Sequence, residues 1–378
     1  MSALAVADLH YPSRVLFGRG TLDEIGRLAR GWSRHALLVT DPGMRATGIV
    51  DRIVDLLEAA GVGPVVFDGV APNPTVGQVE AGLEAGADRD IGIVISVGGG
   101  SSHDCAKAIA LVASNGGEVA DYEGVDRSAH RAVPLIAVNT TAGSGADVSR
   151  YAVITDETRA TKMILADRHL IPRISLNDPD TTIGLPRSQT MATGLDALSH
   201  AVEALVSTRA SALSDLYATR AVELIAANLP RAVDDGRDTE AREAMMLAAL
   251  LAGLAINGAL VGAVHALSHA LGALTDLPHG TCNGLLMPAI VDWNLPAARD
   301  GYRRIGLALD GRADPGSLAR RLRAFGRRVG LPSGLAAAGV GRDLFEALAD
   351  RAMADLCMTT NPRPMTRTDV IAAYDRSL

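Results

Sequence analysis

The sequence predicts an α/β domain with a parallel sheet followed by an all-α domain, and three observations support that prediction. In the first half, short apolar runs alternate with amphipathic stretches of helix length. The apolar runs are continuous rather than alternating, as in parallel strands that are covered on both faces. From about Leu185 onward, apolar residues recur at helical spacing almost throughout, with few β-branched runs.

The individual elements of the first half follow from this pattern. Four apolar runs predict strands, and two amphipathic stretches between them predict helices over 50–61 and 78–88. The strand candidates are 35–40, 64–69, 91–97 and 134–139. A turn-rich segment, 177–186, separates the two patterns. We therefore expect a dinucleotide-binding α/β domain over 1–184 and a helical metal-binding domain over 185–378, with the reaction in the cleft between them.

Composition excludes several classes of protein. The net charge of -7, with no cluster of Lys and Arg, argues against a nucleic-acid surface. Three scattered cysteines and no CxxC motif argue against a disulfide framework and a thiolate zinc site, and favour a reducing, cytoplasmic compartment. The N-terminal stretch 1–15 is unlike a signal peptide. The uncharged stretch 245–264 runs straight into the next histidines and is long enough to span a membrane, but a helix buried all round in a soluble core fits it better.

Histidines and a carboxylate recur at metal-ligand spacing in the second half. Asp196 and His200 are four residues apart, so a helix places both on one face. His265 and His269 repeat that spacing, and His279 follows after a proline. A carboxylate with three imidazoles suits a divalent first-row metal such as Fe(II) or Zn(II), which could act as a Lewis acid. A single histidine on an apolar helix is more often a core residue, but two same-face pairs favour a metal site.

Glycine-rich loops follow two of the predicted strands. After the strand at 91–97, Gly98, Gly99 and Gly100 allow close approach of a ligand, and Ser101 can cap the helix that begins there. Such a helix start favours phosphate, although a plain packing turn is the alternative. The second loop, 140–145, has hydroxyls that could line a cofactor. Asp41, after the first strand, could bind an adenosine ribose or simply form a turn.

Five segments together resemble the iron-containing (group III) alcohol dehydrogenases. The glycine loop GGGSSHDCAK and the segment NTTAGSGADVSRYAVITD are similar to their cofactor motifs. MATGLDALSHAVEALVS and VHALSHALGALTDLPHGTCNGLLMP resemble their two metal-binding signatures, and DLCMTTNPRPMT resembles a C-terminal segment. The resemblance covers nearly the whole chain in the right order. The histidine segments are its specific part, because metal-independent relatives share the glycine loop.

The resemblance implies a Rossmann-like domain plus a helical domain, in a dehydroquinate synthase-like architecture, and an NAD-dependent interconversion of an alcohol with its aldehyde or ketone. It implies Asp196, His200, His265 and His279 as ligands of one Fe(II) or Zn(II) ion, with His269 near the nicotinamide as a proton relay. Asp41 would favour NAD over NADP. The other cofactor residues it implies are Asn73, Gly98, Gly99, Ser101, Asp104, Thr140, Thr141, Ser144 and Lys162. The family also implies a small-molecule substrate and a homodimer or higher oligomer, for which a strand at 13–17 is the candidate interface.

Departures from the family pattern concern the substrate. Ile256 stands where relatives often have Phe, which predicts a differently shaped pocket. Arg150 either meets an anionic substrate group or faces solvent. Two alternatives to the dehydrogenase remain at this point. One is a metal-independent phosphate-ester dehydrogenase or synthase of the same architecture, and the other is a non-catalytic nucleotide-binding protein.

Overall fold

The computed structural model describes residues 10–159, 161–275 and 277–378. Residues 1–9, which include most of the stretch interpreted above as unlike a signal peptide, lie outside that description. The chain forms two compact units, of which one comprises 10–183 and the other includes 184–378.

The unit 10–183 contains two sheets and five α-helices among its described residues. In chain order its strands are β1 (Arg14–Phe17), β2 (His35–Val39), β3 (Gly63–Phe67), β4 (Ile93–Gly98), β5 (Gly124–Val125), β6 (Leu135–Asn139), β7 (Tyr151–Asp156), β8 (Thr161–Ala166) and β9 (Ile174–Asn177). Its helices are α1 (Ile25–Arg30), α2 (Pro42–Ala46), α3 (Ile49–Ala59), α4 (Val76–Gly86) and α5 (Gly100–Asn115). The predicted strands and helices are present, with ends shifted by a few residues.

The main sheet has six parallel strands in the order β1-β9-β6-β4-β2-β3. Alternate residues of β2 enter different cores: Leu37 and Val39 belong to the core that includes residues of α4 and α5, and Leu38 belongs to the core that includes residues of α1 and α3. Both faces are therefore covered by helices, which explains why the strands are continuously apolar. The predicted α/β class is confirmed.

A second, three-stranded sheet was not anticipated from the sequence. β7 and β8 form an antiparallel hairpin, and the two-residue β5 pairs with β8. The hairpin departs from the strand–helix alternation that guided the prediction, and its strands alternate buried with less buried residues.

The described residues of 184–378 contain helices and no strands. The helices are α6 (Arg187–Val206), α7 (Ala212–Asp234), α8 (Thr239–Ala259), α9 (Ala263–Leu274), α10 (His279–Asn294), α11 (Arg299–Asp310), α12 (Leu318–Arg328), α13 (Phe345–Ala354) and α14 (Arg367–Asp375). Helix α6 is buried along most of its length and packs against α7, α8 and α10. The prediction of an all-α second region is confirmed.

The uncharged stretch 245–264 is divided between two helices, and most of it lies in the first of them. Helix α8 ends at Ala259, and Leu260 takes a positive φ of 62° before α9 begins at Ala263. This left-handed residue interrupts the helical backbone. By length and composition α8 could cross a membrane, but 67% of its most apolar window is buried inside the protein, as in the core helix of a soluble protein.

Candidate active site

Four residues predicted as metal ligands come together in the helical unit. Asp196 and His200 lie one turn apart on α6, while His265 is on α9 and His279 is the first residue of α10. The Asp196 Oδ1 atom lies 3.8 Å from His200 Nε2 and 3.8 Å from His265 Nε2. It lies 3.6 Å from His279 Nε2. Three imidazole nitrogens therefore converge on one carboxylate oxygen.

A glycine brings the last of these residues into place. A Cβ atom added to Gly280 would lie 1.9 Å from the backbone oxygen of Ala192 and 3.0 Å from Asp196 Cβ. Only a residue without a side chain lets the start of α10 approach α6 this closely. The His-Gly pair therefore sets His279 beside Asp196.

Partners at Nδ1 orient two of the imidazoles. His265 Nδ1 lies 2.5 Å from Glu203 Oε2, and Glu203 also accepts a hydrogen bond from the backbone N–H of Val264 at 2.7 Å. His279 Nδ1 lies 3.1 Å from Ser268 Oγ. When Nδ1 donates to such a partner, Nε2 keeps the lone pair that a metal requires.

Electrostatics reinforce this arrangement. Burial alone would raise the pKa of Asp196, but His200, His279 and His265 together lower it well below its usual range. Burial opposes a positive charge on His265, yet the carboxylates of Glu203 and Asp196 raise its pKa to about 9. Asp196 is therefore ionised at neutral pH, as a carboxylate ligand of a metal must be.

The donor set fits a divalent metal ion. Ligands held about 2.1 Å from a tetrahedral ion lie about 3.4 Å from one another. The observed spacings of 3.6–3.8 Å are close to that value, and they exceed ordinary hydrogen-bond lengths. One carboxylate with three imidazoles is a set that iron and zinc both accept.

His269 does not join this group but lies next to it. Its ring stacks on that of His279, with centroids 5.2 Å apart, and its Nδ1 atom lies 2.8 Å from Asp355 Oδ2. Both side chains are mostly buried, at 14% and 11% exposed. The structure thus separates His269 from the convergent nitrogens, although it shares α9 with His265.

Sequence reasoning missed two residues of this cluster besides Asp355. Glu203 orients His265, and the Asn283 Nδ2 atom lies 2.8 Å from Asp196 Oδ1. Asn283 Nδ2 also lies 3.2 Å from His279 Nε2. The helical spacing could have revealed both, because Glu203 follows His200 by three residues and Asn283 follows His279 by four.

In the α/β unit, the predicted cofactor residues lie at the carboxyl ends of adjacent strands. Asp41 follows β2, Gly98 ends β4 and Thr140 follows β6. The chain passes from β2 to β3 on one side and then to β4 on the other side of β2. Such a reversal of strand order is where ligands bind in open α/β sheets.

The glycine loop is packed directly against its neighbours. Gly98 has a φ of 147°, and a Cβ atom there would lie 2.4 Å from Ser102 Oγ. A Cβ atom on Gly99 would lie 2.9 Å from Thr141 Oγ1, and one on Gly100 would lie 3.1 Å from Ser144 Cβ. The two predicted loops are therefore in contact, and glycine is what allows it.

The prediction that Ser101 caps a helix is wrong. Helix α5 begins at Gly100, its N-cap residue is Gly99, and no side chain caps it. Because the helix starts two residues earlier than a cap at Ser101 would require, Ser101 is already inside its first turn. The orphan backbone N–H groups of that turn are the ones that could receive a phosphate.

Asp41 caps a short helix and faces the glycine loop. Its Oδ1 atom accepts a hydrogen bond from the Met44 N–H at 3.1 Å, so α2 begins where a simple turn was the alternative. Its Oδ2 atom accepts one from Ser102 Oγ at 3.4 Å. The carboxylate is therefore fixed between the ends of β2 and β4.

Three further residues that were predicted to bind the cofactor form hydrogen bonds with other residues of the α/β unit. Lys162 Nζ donates to Asn73 Oδ1 at 2.9 Å. The Asp104 carboxylate accepts a hydrogen bond from the backbone N–H of Val153 at 3.0 Å, which ties α5 to β7. Burial raises the pKa of Asp104 to about 6.

Arg150 does not face solvent, so that expectation is wrong. The residue is 9% exposed and its guanidinium donates to Asp126 Oδ1 at 2.8 Å. Because a buried guanidinium requires compensating acceptors, the tertiary contact with Asp126 accounts for its position.

Comparison with known proteins covers almost the whole chain. A family model described as iron-containing alcohol dehydrogenase matches residues 12–179, and one described as the C-terminal part of the Fe-containing alcohol dehydrogenase family matches residues 190–378. The chain is 42% identical to alcohol dehydrogenase 4 of Schizosaccharomyces pombe, over all of this chain and 90% of that protein. It is 38% identical to the NAD-dependent methanol dehydrogenase of Bacillus methanolicus, over 97% and 98%. The crystal structure of a 1,3-propanediol oxidoreductase matches with a TM-score of 0.95 at 36% identity, over 99% of this chain and 100% of that one.

Proposed function

The chain belongs to the iron-containing alcohol dehydrogenase family, and from that premise we propose which of its residues perform the reaction. Members of the family are oxidoreductases that interconvert alcohols and aldehydes, and this chain is one of them. We propose that Asp196, His200, His265 and His279 hold its divalent metal. The observation that carries the proposal is the convergence of three Nε2 atoms on Asp196 Oδ1.

The bound metal would supply Lewis acidity toward the oxygen of the alcohol or carbonyl. The chain's own residues prepare that site. Glu203 and Ser268 hold two imidazoles with Nε2 available, and Asn283 donates to Asp196. Asp196, His200 and His265 are buried, which shields their ligand atoms from water, whereas the His279 side chain is 34% exposed. Iron and zinc both suit this donor set, and we propose one ion per chain.

We propose NAD rather than NADP as the cofactor. The backbone N–H groups at the start of α5 would receive the pyrophosphate, with Gly98 and Gly99 allowing its approach. Thr140, Thr141 and Ser144 would line the cofactor from the second loop. Asp41 would accept hydrogen bonds from the adenosine ribose, and its charge would repel a 2′-phosphate.

His269 is our proposed proton relay. It lies beside His279 without joining the ligand atoms, and an imidazole can accept and release a proton near neutral pH. A bound nicotinamide would accept the hydride of the alcohol, and the hydroxyl proton would then have to reach solvent. His269 would carry that proton through hydroxyls of the cofactor or through water.

Assembly and compartment are also proposals. Strand β1 lies at one edge of the six-stranded sheet, and its residue Val15 is 39% exposed, which supports a homodimer joined at this edge. Cys105, Cys282 and Cys357 are all free thiols, which supports a cytoplasmic location. The substrate is a small alcohol or aldehyde.

The first test is metal analysis of anaerobically purified protein together with an NADH-oxidation screen over aldehydes. About one Fe or Zn per chain with aldehyde-dependent turnover is the expected result. A metal-free protein with full activity would contradict the ligand assignment.

The variant His279→Ala tests the assignment at a single ligand. We expect it to lose bound metal and nearly all activity, because three remaining ligands hold the ion more weakly in this partly exposed position. Metal content by atomic emission and NADH turnover are the measurements. His130→Ala, which removes an exposed histidine, should keep both. Full metal content in His279→Ala would remove that residue from the ligand set.

A further inference from the structure

We propose that Asp355 is a positioning residue for His269, which it holds as the Nδ1–H tautomer so that Nε2 keeps a lone pair for the proton step. The inference rests on the proposed relay role of His269. It adds a residue far away in sequence, 86 positions beyond the histidine, to the machinery of the reaction.

Two hydrogen bonds fix the Asp355 carboxylate. Its Oδ2 atom lies 2.8 Å from His269 Nδ1, and its Oδ1 atom accepts the backbone N–H of Cys357 at 2.8 Å. Asp355 follows α13 directly and caps the short 3₁₀ turn Leu356–Thr360. With both oxygens engaged, the carboxylate cannot rotate without losing a partner, so the ring of His269 is held in one orientation.

The ionisation state of Asp355 determines the tautomer. Burial alone would raise the pKa of this carboxyl, but the hydrogen bonds from His269 and Cys357 hold it well below its usual range. An ionised carboxylate only accepts hydrogen bonds. His269 Nδ1 must therefore carry the hydrogen, and Nε2 keeps its lone pair.

A second carboxylate–imidazole pair lies one helical turn earlier on α9, but there the ring belongs to a proposed metal ligand. Glu203 holds Nδ1 of His265, and Nε2 of that ring faces Asp196. Asp355 holds Nδ1 of His269, whose ring is tilted by 74° from that of His265 at a centroid distance of 6.0 Å. Two carboxylates thus orient two imidazoles of α9 into different directions, one among the ligand atoms and one outside them.

A second metal site is the competing explanation, because donor atoms of His269, Asp355 and Cys357 lie within 4.8 Å of one another. The 2.8 Å contact argues against it, since two ligands of a tetrahedral ion lie about 3.4 Å apart. The geometry is that of a hydrogen-bonded pair.

The test is Asp355→Asn in the full-length, zinc-loaded protein. If the amide oxygen keeps the Cys357 N–H, the amide NH₂ faces His269 and can only donate, so the ring must move its hydrogen to Nε2. We expect ¹⁵N NMR of histidine-labelled protein to show that tautomer change. We expect kcat to fall by about tenfold or more, with metal content and the KM for NADH unchanged. Asp355→Glu should recover part of the loss.

Two results would overturn the inference. The first is an Asp355→Asn variant that has the same kcat and the same His269 tautomer as an active wild-type enzyme. The other is the loss of a second metal equivalent in Cys357→Ala, which otherwise should keep metal and activity. Failure of the proposed function is distinguishable, because it appears as wild-type protein without metal-dependent turnover.

Discussion

The two units form their candidate sites from different kinds of chemical groups. The loops of the unit 10–183 use backbone and small side chains at the ends of β2, β4 and β6. The cluster in 184–378 uses titratable side chains on α6, α9 and α10, which are held by further polar groups. A nucleotide is recognised largely through N–H groups that any backbone offers, so shape is what the loops must supply. A metal needs specific donor atoms, so side-chain identity and protonation matter in the cluster.

This comparison implies different sensitivities to substitution. The cluster should lose metal affinity when one hydrogen changes position, even if the volume of every side chain is kept. The loops should tolerate changes of polarity but lose cofactor affinity when an atom is added. Three predictions, from the largest expected effect to the smallest, test this difference.

Glu203→Gln is isosteric and should have the largest effect. If the Gln oxygen keeps the Val264 N–H, its NH₂ group faces His265 Nδ1 and favours the tautomer with hydrogen on Nε2, which cannot bind a metal. We expect metal affinity to fall by about 10- to 100-fold, measured by competition with a chelator. Glu223→Gln, at an exposed ion pair on α7, is the matched control and should retain wild-type affinity. Equal affinities in the two variants would show that hydrogen position is unimportant here.

Gly98→Ala tests the loops with a single added carbon. Its Cβ atom would lie 2.4 Å from Ser102 Oγ, so the loop must shift, and we expect NADH affinity to fall by about tenfold. Gly18→Ala has a similar positive φ, 131°, but no atom within 4 Å. Both variants carry backbone strain of about 1–3 kcal/mol, which thermal unfolding would reveal. Only Gly98→Ala should weaken NADH binding in a fluorescence titration, and equal weakening would attribute the effect to strain alone.

Asp41→Ser changes polarity and should have the smallest effect. A serine can still accept the Met44 N–H and cap α2, but it removes the charge that would repel a 2′-phosphate. We expect the ratio of kcat/KM for NADH over NADPH to fall by about three- to fivefold. Asp55→Ser removes the same charge from the exposed side of α3 and should leave the ratio unchanged. A ratio unaffected in both variants would argue against Asp41 as the ribose ligand.

Local patterns in the sequence were sufficient to predict much of the fold. Apolar runs predicted β2, β3, β4 and β6, because a strand covered on both faces must be apolar throughout. The β7–β8 hairpin was missed, since its strands depart from that pattern. The break at Leu260 was missed as well, because nothing in an uncharged stretch indicates which residue takes a positive φ.

The sequence alone determined the chemistry available to this protein: the periodicity of α6 and α9 sets Asp196 beside His200 and His265 beside His269, since residues four apart share a helix face. Only the tertiary structure decided how those groups are used. In the tertiary structure Gly280 lets α10 pack against α6. Glu203 contacts Nδ1 of His265, and Asp355 contacts Nδ1 of His269. Helical spacing is a local property, whereas the partner of a buried nitrogen depends on the packing of segments far apart in the chain.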